Sequence, residues 1–169
     1  MSITINEYKT FLPKLLEILP KGAFLTTSQN GKVNTMTIGW GSFGFEWGIP
    51  TVEVLVRESR YSKLCMDTND SFTITFPLDD SMKKGLGYCG QKSGRDTDKV
   101  SDCDLTAIPA KTVDGAVVFC KGIVLECKTL SRTPMSEKTT SSEILEKWYA
   151  QGDLHTFYSA EIVSIYELD

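Results

Sequence analysis

Two short segments of this chain each combine cationic side chains with hydroxyl groups. The first reads Arg57-Glu58-Ser59-Arg60-Tyr61-Ser62, and the second reads Ser93-Gly94-Arg95-Asp96-Thr97-Asp98-Lys99. Arginine donates planar, paired hydrogen bonds to phosphate, and serine hydroxyls add short-range donors. The chain as a whole is acidic, with a formal net charge of -4. The two segments therefore indicate a specific site for a phosphorylated small molecule rather than a general attraction to anions.

The first segment follows an apolar, strand-like run and precedes a helix-like one. We expect Ser59 to cap a short helix over residues 60–67. The unpaired N–H groups at the start of that helix would favour an anion, and the strand would deliver Arg57 beside them. An ordinary solvated turn, with ion pairs to Glu58 or Asp67, explains the same residues. The spacing alone leaves both interpretations open.

The second segment is more specific, because a glycine stands among its charges. Gly94 allows the backbone to approach a ligand closely. Arg95 and Lys99 offer positive charge, while Asp96 and Asp98 are placed to orient those cations and hold the loop's own amides. The alternative is a self-satisfied turn whose exposed ion pairs contribute only about 0–1 kcal/mol each.

A third segment, Asn34-Thr35-Met36-Thr37 with Trp40 downstream, has the composition of a strand. Asn34 and Met36 share one face of that strand, and Thr35 and Thr37 share the other. An asparagine among small polar residues suits a sheet edge on which a flat heterocycle lies against backbone amides. A strand with one polar face toward water is the other interpretation.

The remaining pattern predicts short helices and antiparallel strands. Asn30-Gly31 between two strand-like runs is typical of a two-residue hairpin, and Pro13 is expected to kink or interrupt the first helix. The glycine- and aromatic-rich stretch 39–50 is expected to be a loop or a bulged strand. We predict helices at residues 8–19, 60–67, 82–89 and 141–149. We predict strands at residues 23–28, 33–41, 51–57, 71–77, 106–111, 116–130 and 157–168.

These elements lack the regular βαβ alternation of a parallel nucleotide-binding sheet. We therefore expect one domain, residues 1–169, that is mainly β with short helices: an antiparallel barrel or sandwich with helices at its ends. With 41% hydrophobic and 24% charged residues, the chain has the composition of a soluble globular protein. Its acidic balance argues against nucleic acid as a partner, and no apolar run is long enough to span a membrane.

The five cysteines include no C-x-x-C pair, which is typical of free thiols in a reducing cytoplasm. Cys120 and Cys127 lie in a strand run and are expected in the core. Cys89 is a candidate for redox chemistry or another core residue. His155 is the only histidine, so a multi-histidine metal centre is excluded and no metal site is expected.

In this order and separation, the segments resemble the flavin reductase-like family of FMN-binding split β-barrels, which includes the flavoredoxins. The resembling motifs are Asn34-Thr35-Met36-Thr37 with Trp40, Pro50 followed by residues 57–62, Phe72-Thr73-Ile74-Thr75-Phe76-Pro77, and residues 93–99. The resemblance covers approximately residues 20–166, and the combination is specific although each piece alone is not.

The resemblance implies an antiparallel FMN-binding split β-barrel that holds FMN at the interface of a homodimer. The isoalloxazine ring would lie along residues 34–37, and the two cationic segments would serve the phosphate and ribityl end. The FMN-binding residues that it implies are Asn34, Thr35, Met36, Thr37, Trp40, Arg57, Ser59, Arg60, Tyr61, Ser62, Ser93, Gly94, Arg95, Asp96 and Lys99.

The resemblance also implies an oxidoreductase that passes hydride from NAD(P)H to flavin or to a protein acceptor. A flavoredoxin-type electron-transfer protein without NAD(P)H activity, and a non-redox module for another phosphorylated ligand, remain alternatives. Many relatives carry Gly-Asp-His, whereas this chain reads Gly152-Asp153-Leu154-His155. His155 is thus a candidate catalytic residue or a loop residue at a strand start. The aromatic residues Trp40, Phe43, Phe45 and Trp47 would stack on the flavin or fill the dimer interface.

Overall fold

The computed structural model describes residues 3–169 and shows an antiparallel β fold with short helices. The α-helices are α1 (Ile5–Ile18), α2 (Tyr61–Thr68), α3 (Lys83–Gln91), α4 (Lys99–Asp102) and α5 (Ser142–Trp148). The strands are β1 (Ala23–Gln29), β2 (Lys32–Ile38), β3 (Gly41–Glu46), β4 (Ile49–Arg57), β5 (Ser71–Pro77), β6 (Thr106–Pro109), β7 (Ala116–Phe119), β8 (Gly122–Pro134) and β9 (His155–Leu168). Short 3-10 turns occupy Leu19–Lys21, Asp80–Met82 and Glu137–Thr139.

Seven strands form one sheet in the order β2-β1-β5-β8-β9-β4-β3, and β6 pairs with β7 separately. Strands β2 and β3 lie at opposite edges of the large sheet, yet only Gly39 and Trp40 separate them along the chain. Such a link spans at most about 11 Å, so the sheet must curl until its two edges approach. Within residues 3–169 the two edges do not pair with each other. The result confirms the predicted antiparallel split barrel, and its split lies beside β2.

The main core fills the inside of this curled sheet. Helix α1 contributes Leu15 and Ile18 to it, and Tyr8 donates from its phenol to the carbonyl of Thr51 at 3.1 Å. On the other side of β1, Phe24 packs with Cys89 and Val118 in a second, smaller core under α3 and β7. Both faces of β1 are therefore covered. No helix in the described part of the chain is long and apolar enough to cross a membrane.

The predicted hairpin at Asn30-Gly31 is confirmed, with φ angles of 51° and 76° that suit a tight turn between β1 and β2. The loop or bulge predicted for residues 39–50 is wrong. Strand β3 pairs regularly with β4, and a second turn at Trp47 and Gly48, with φ of 50° and 81°, joins them. The sequence did not indicate that turn, because a position in the left-handed region usually carries glycine or asparagine and this one carries Trp47.

Three other expectations need correction. The single strand predicted over residues 116–130 is two strands, β7 and β8, because a continuous apolar run does not reveal a turn between two buried strands. Helix α1 runs through Pro13 as one element, so the interruption expected there is wrong, while the kink stays a prediction. Ser59 does not cap α2, since Arg60 occupies the N-cap position without a side-chain cap bond.

A buried carboxylate fixes the loop between β6 and β7. Glu126 on β8 is fully buried and accepts from the N–H groups of Lys111, Thr112 and Val113 and from the hydroxyls of Thr112 and Tyr166. Burial alone would raise the pKa of Glu126, but these hydrogen bonds outweigh it and hold the pKa below its ordinary value. The carboxylate thus stays charged and ties two sheets together.

Candidate functional site

Three chain segments meet beside β2 and enclose a cavity of about 380 Å³, which we call the cationic cavity. They are the turn from β4 into α2, the loop from α3 to α4, and the loop from α5 to β9. The lining residues are Met36, Arg57, Ser59, Arg60, Tyr61, Ser62, Gln91, Lys92, Ser93, Gly94, Arg95, Asp96, Lys99 and Asp153. The two cationic segments singled out in the sequence therefore share one cavity.

The cavity is net positive, in a protein whose own charge is negative. Five of its lining side chains are cationic and two are acidic, while the whole chain carries -4. A concave site with one sign of charge concentrates oppositely charged ligands. The electrostatics therefore favour an anion of more than one charge.

Arg57 lines the cavity, but its guanidinium is already engaged. It donates to the carbonyl of Asp153 at 2.8 Å and to the carbonyl of Trp148 at 3.2 Å. Its guanidinium carbon also lies 5.0 Å from the centre of the Tyr149 ring. Arg57 therefore holds the α5–β9 loop against β4. Within residues 3–169 it forms no ion pair with Glu58 or Asp67, which both pair with Lys63 instead, at 3.5 Å and 2.7 Å.

Ser59 is likewise engaged within the protein. Its N–H donates to Asp153 Oδ1 at 2.9 Å, and its hydroxyl donates to Asp153 Oδ2 at 2.7 Å. Its carbonyl accepts from Arg95 Nη1 at 2.9 Å, which links the two cationic segments. All three polar groups of Ser59 thus serve the framework of the cavity.

The donors left for a ligand lie at the start of α2. The N–H groups of Tyr61 and Ser62 occupy the first turn and have no acceptor among residues 3–169. Ser62 is buried, and its hydroxyl oxygen accepts from Asn34 Nδ2 at 2.8 Å, which leaves its own proton available. In the same described range, the guanidinium of Arg60 makes no hydrogen bond or ion pair. Unpaired N–H groups at a helix start favour an anion, so we call this set of donors the anion-binding corner.

The α3–α4 loop closes over this corner through a close backbone approach. A Cβ on Gly94 would lie 2.1 Å from Asn34 Oδ1 and 2.8 Å from Tyr61 Cδ1, so a side chain does not fit there. The next residue, Arg95, stands with its guanidinium carbon 5.7 Å from the centre of the Tyr61 ring. The backbone at Gly94 thus approaches Asn34 and Tyr61 closely, and of these two residues Tyr61 lines the cavity.

Lys99 forms part of the inner wall and is almost fully buried, with 5% of its surface exposed. Its ammonium donates to the carbonyl of Thr35 at 2.8 Å and to the carbonyl of Cys89 at 3.3 Å. Burial lowers the pKa of Lys99. An ammonium has three donors, so one remains for a ligand.

A second, narrower cavity of about 160 Å³ continues along β2, and we call it the β2 slot. It shares Met36, Arg57 and Arg60 with the cationic cavity. Its other lining residues are Thr37, Ile38, Gly39, Trp40, Leu55 and His155. The slot therefore extends the anion-binding corner toward Trp40 at the split of the barrel.

His155 stands at the far end of this slot. It is buried, its Nδ1 lies 2.6 Å from the hydroxyl of Tyr149, and its ring centre lies 5.7 Å from that of Trp40. Burial, with a further contribution from the charge of Arg57, lowers the pKa of His155 to about 4. Its imidazole is therefore neutral at pH 7. His155 lines the slot although its motif, residues 152–155, is one residue longer than the Gly-Asp-His of many relatives.

An apolar cavity of about 580 Å³ adjoins the β2 slot and shares Trp40 and Leu55 with it. Trp40 meets Trp148 edge to face there, with ring centres 4.8 Å apart. Among the aromatic residues considered above, Phe43 packs on Phe76 in the core, with ring centres 6.2 Å apart. The other members of that group are exposed by between 42% and 73%: Trp40, Phe45 and Trp47.

Most of the residues expected to hold a ligand line one of the two connected cavities. Asn34 and Thr35 do not, because their side chains are buried behind the wall. Asp98 caps α4 by accepting from the N–H of Ser101 at 3.3 Å. The residues that sequence reasoning did not assign to the site are Gln91, Lys92, Ile38, Gly39, Leu55 and Asp153.

Neither of the two connected cavities is lined by a cysteine. All five cysteines are free, and Cys120 and Cys127 are buried as expected. Burial raises the pKa of Cys89 to about 11, so its thiol is not activated for redox chemistry. The described residues contain no cluster of three or more metal-ligating side chains.

Solved structures share this fold. Flavoredoxin from Methanosarcina acetivorans is similar at 23% identity and a TM-score of 0.67, covering 88% of this chain and 68% of its own. Flavoredoxin of Desulfovibrio vulgaris (Miyazaki F) is similar at 20% identity and a TM-score of 0.68, covering 86% and 68%. Nitrilotriacetate monooxygenase component B from Bacillus cereus is similar at 15% identity and a TM-score of 0.70, covering 100% and 82%.

No protein-family model and no curated protein matches the chain. The likeness to solved structures, all at low identity, therefore establishes the fold alone. That fold is the split barrel of flavin reductase-like, FMN-binding proteins, as the sequence motifs predicted.

Proposed function

We propose that this chain binds FMN, with the phosphate in the cationic cavity and the ring system in the β2 slot. The observation that carries the proposal is the connection of a net positive cavity to a narrow slot through three shared residues, Met36, Arg57 and Arg60. Small-molecule sites of this kind combine a shaped cleft with a few placed polar groups. The likeness to flavoredoxins and other FMN-binding proteins supports a flavin over other phosphorylated heterocycles.

The residues present fit a phosphate monoester, which carries about -1.5 to -2 charges at pH 7. Arg60 and the first-turn N–H groups of Tyr61 and Ser62 are donors that have no acceptor within the described range, residues 3–169. Arg95 and Lys99 add positive charge to the wall. The lack of a Cβ at Gly94 lets the α3–α4 loop pack closely on Asn34 and Tyr61, which brings that wall near the start of α2. Each feature is what a doubly charged, compact anion requires.

When bound, FMN supplies hydride-transfer chemistry, and the chain positions it and sets its surroundings. Lys99, fixed by two carbonyl groups, would offset negative charge on the flavin. Trp40 would form the wall between the flavin and an acceptor or donor in the apolar cavity. His155, neutral at pH 7 because its pKa is about 4, would offer a hydrogen bond rather than a charge.

On this basis we assign the chain as an FMN-dependent oxidoreductase that takes hydride from NAD(P)H and passes reducing equivalents to flavin or a protein acceptor. Residues 39–44, Gly-Trp-Gly-Ser-Phe-Gly, match the pattern G-x-G-x-x-G, but they lead into strand β3 rather than from a strand into a helix, so they do not form a dinucleotide-binding turn. A nicotinamide would therefore bind transiently at the open slot. A homodimer belongs to the proposal, since exposed Trp40 and Trp148 beside the slot offer an apolar surface. A cytoplasmic location, consistent with the free cysteines, also belongs to it.

Two measurements test the proposal. The purified protein is titrated with FMN, and the absorption change and flavin fluorescence give the affinity. The loaded protein is then mixed with NADH or NADPH, and oxidation is followed at the nicotinamide band. Binding with turnover is the expected result. Binding without turnover, but with reduction by dithionite, supports a flavoredoxin-type electron carrier instead. A protein that binds no FMN contradicts the proposal and leaves a binding module for another phosphorylated ligand.

A further inference from the structure

The loop from α5 to β9 reaches the cationic cavity through a single acidic side chain, Asp153. Both carboxylate oxygens of Asp153 accept from Ser59, one from its N–H at 2.9 Å and one from its hydroxyl at 2.7 Å. Its carbonyl accepts from Arg57 Nη1 at 2.8 Å. Asp153 therefore contacts the β4–α2 turn on both sides of Glu58.

The backbone at this point is in an unfavourable conformation. Asp153 has a φ of 59°, and Gly152 before it has a φ of 76°. A non-glycine residue in the left-handed region is uncommon and persists where surrounding contacts over-determine it. The three hydrogen bonds to Ser59 and Arg57 are such contacts. The residue with the uncommon backbone conformation, Asp153, is thus also the residue of this loop that lines the cavity.

Ser59 connects Asp153 to the turn that precedes the free donors of α2. Its carbonyl accepts from Arg95 at 2.9 Å, and the N–H of Arg60 donates to the carbonyl of Arg57 at 3.0 Å to close the turn. The free donors of Arg60, Tyr61 and Ser62 follow immediately along the chain. Their direction therefore depends on a turn that Asp153 fastens at two points.

We propose that Asp153 is a positioning residue for phosphate recognition, a role that rests on the proposed binding of FMN. It fixes the β4–α2 turn so that the donors of Arg60, Tyr61 and Ser62 face the cavity. A carboxylate that lines an anion site also repels the anion. The two possible roles of Asp153 therefore predict opposite changes in phosphate affinity when the residue is removed. Loss of a positioning residue weakens phosphate binding, whereas loss of a competing carboxylate strengthens it.

The experiment compares FMN with riboflavin, which lacks the phosphate, on the flavin-free protein. Asp153→Ala removes all carboxylate contacts, and Asp153→Asn keeps one acceptor oxygen without the charge. Asp104→Ala is the matched control, because Asp104 is also an exposed aspartate with a positive φ, of 52°, but does not line the cavity. Dissociation constants come from flavin fluorescence, and thermal unfolding without ligand reports stability.

We expect Asp153→Ala to raise the FMN dissociation constant at least tenfold, about 1.4 kcal/mol, while riboflavin changes less than threefold. Asp153→Asn should lie between, and Asp104→Ala should match wild type. The double variant with Ser59→Ala should bind FMN no more weakly than Asp153→Ala, since the Ser59 hydroxyl acts through its hydrogen bond to Asp153. Tighter FMN binding by Asp153→Ala, or equal losses for FMN and riboflavin, overturns the assignment.

Inorganic phosphate separates this assignment from the flavin proposal. Titration calorimetry of wild type and Asp153→Ala with phosphate needs no flavin. If wild type binds phosphate but neither flavin, the FMN proposal fails, and loss of phosphate binding in Asp153→Ala still supports the positioning role. If wild type binds neither flavin nor phosphate, both proposals fail.

Discussion

Replacing Gly94 by alanine tests the geometry of the cationic cavity with a single added carbon. The new Cβ would lie 2.1 Å from Asn34 Oδ1 and 2.8 Å from Tyr61 Cδ1. Both distances are shorter than 3.0 Å, and real Cβ atoms essentially never make contacts that short. Asn34 is buried and bonded to Ser62, so it has little freedom to withdraw. The α3–α4 loop must therefore move outward by about 1 Å.

That movement has two separable costs. Overpacking typically destabilises a protein by about 1–3 kcal/mol, which thermal unfolding would report. The displaced loop also carries Arg95 away from Ser59 and opens the phosphate corner. We expect FMN affinity to fall at least tenfold, about 1.4 kcal/mol or more, and riboflavin affinity to fall less.

Gly87 provides the matched control for this experiment. It lies in α3, and a Cβ there meets nothing within 4 Å. Gly87→Ala should leave flavin binding unchanged and add slightly to stability, as alanine does in helices. Wild-type FMN affinity in Gly94→Ala, measured by fluorescence titration, would refute the close packing of this loop on β2 and α2.

Three further outcomes follow from the described contacts. Arg60→Ala should weaken FMN binding by about 1.5–3 kcal/mol, the usual loss for a hydrogen bond to a charged group, and unchanged affinity in calorimetry would remove Arg60 from the phosphate site. Glu126→Gln should destabilise the protein by about 1–3 kcal/mol at pH 7. Because folding lowers the pKa of Glu126, the difference in unfolding free energy between wild type and this variant should shrink below pH 4.5. A difference in urea unfolding that does not change with pH would contradict this. His155 has a folded pKa of about 4 against 6.5 ordinarily, so wild type should lose stability as pH falls through that range. His155→Gln should lose less there, and equal acid sensitivity of the two proteins in thermal unfolding would show that His155 is not held neutral.

Much of the site could be predicted because its signals are local in the sequence. The run that delivers Arg57 and the helix that starts at Tyr61 are adjacent, and strand-to-helix junctions place free N–H groups together. The Gly94 loop also carries its own signature of glycine among charges. That the two segments meet in one cavity followed from the resemblance rather than from their spacing, since residues 63–92 intervene.

The rest of the site depends on contacts that no local pattern reveals. Asp153 bonds to Ser59 across 94 positions of the chain, so nothing near Ser59 shows that its donors are already engaged. For the same reason nothing near Arg57 shows that its guanidinium donates to the carbonyls of Trp148 and Asp153, while its role at a phosphate stays a prediction. The turn at Trp47 was missed because tryptophan rarely adopts a positive φ.

The most direct test of the central claim compares FMN with riboflavin on the wild-type protein. The two ligands differ by the phosphate alone, so their affinity ratio reports what the cationic cavity contributes. We expect FMN to bind at least a hundredfold more tightly, about 2.7 kcal/mol, with a ratio that falls as salt screens the charges. Equal affinities for the two flavins, or no binding of either, would contradict the assignment of this cavity as a phosphate site.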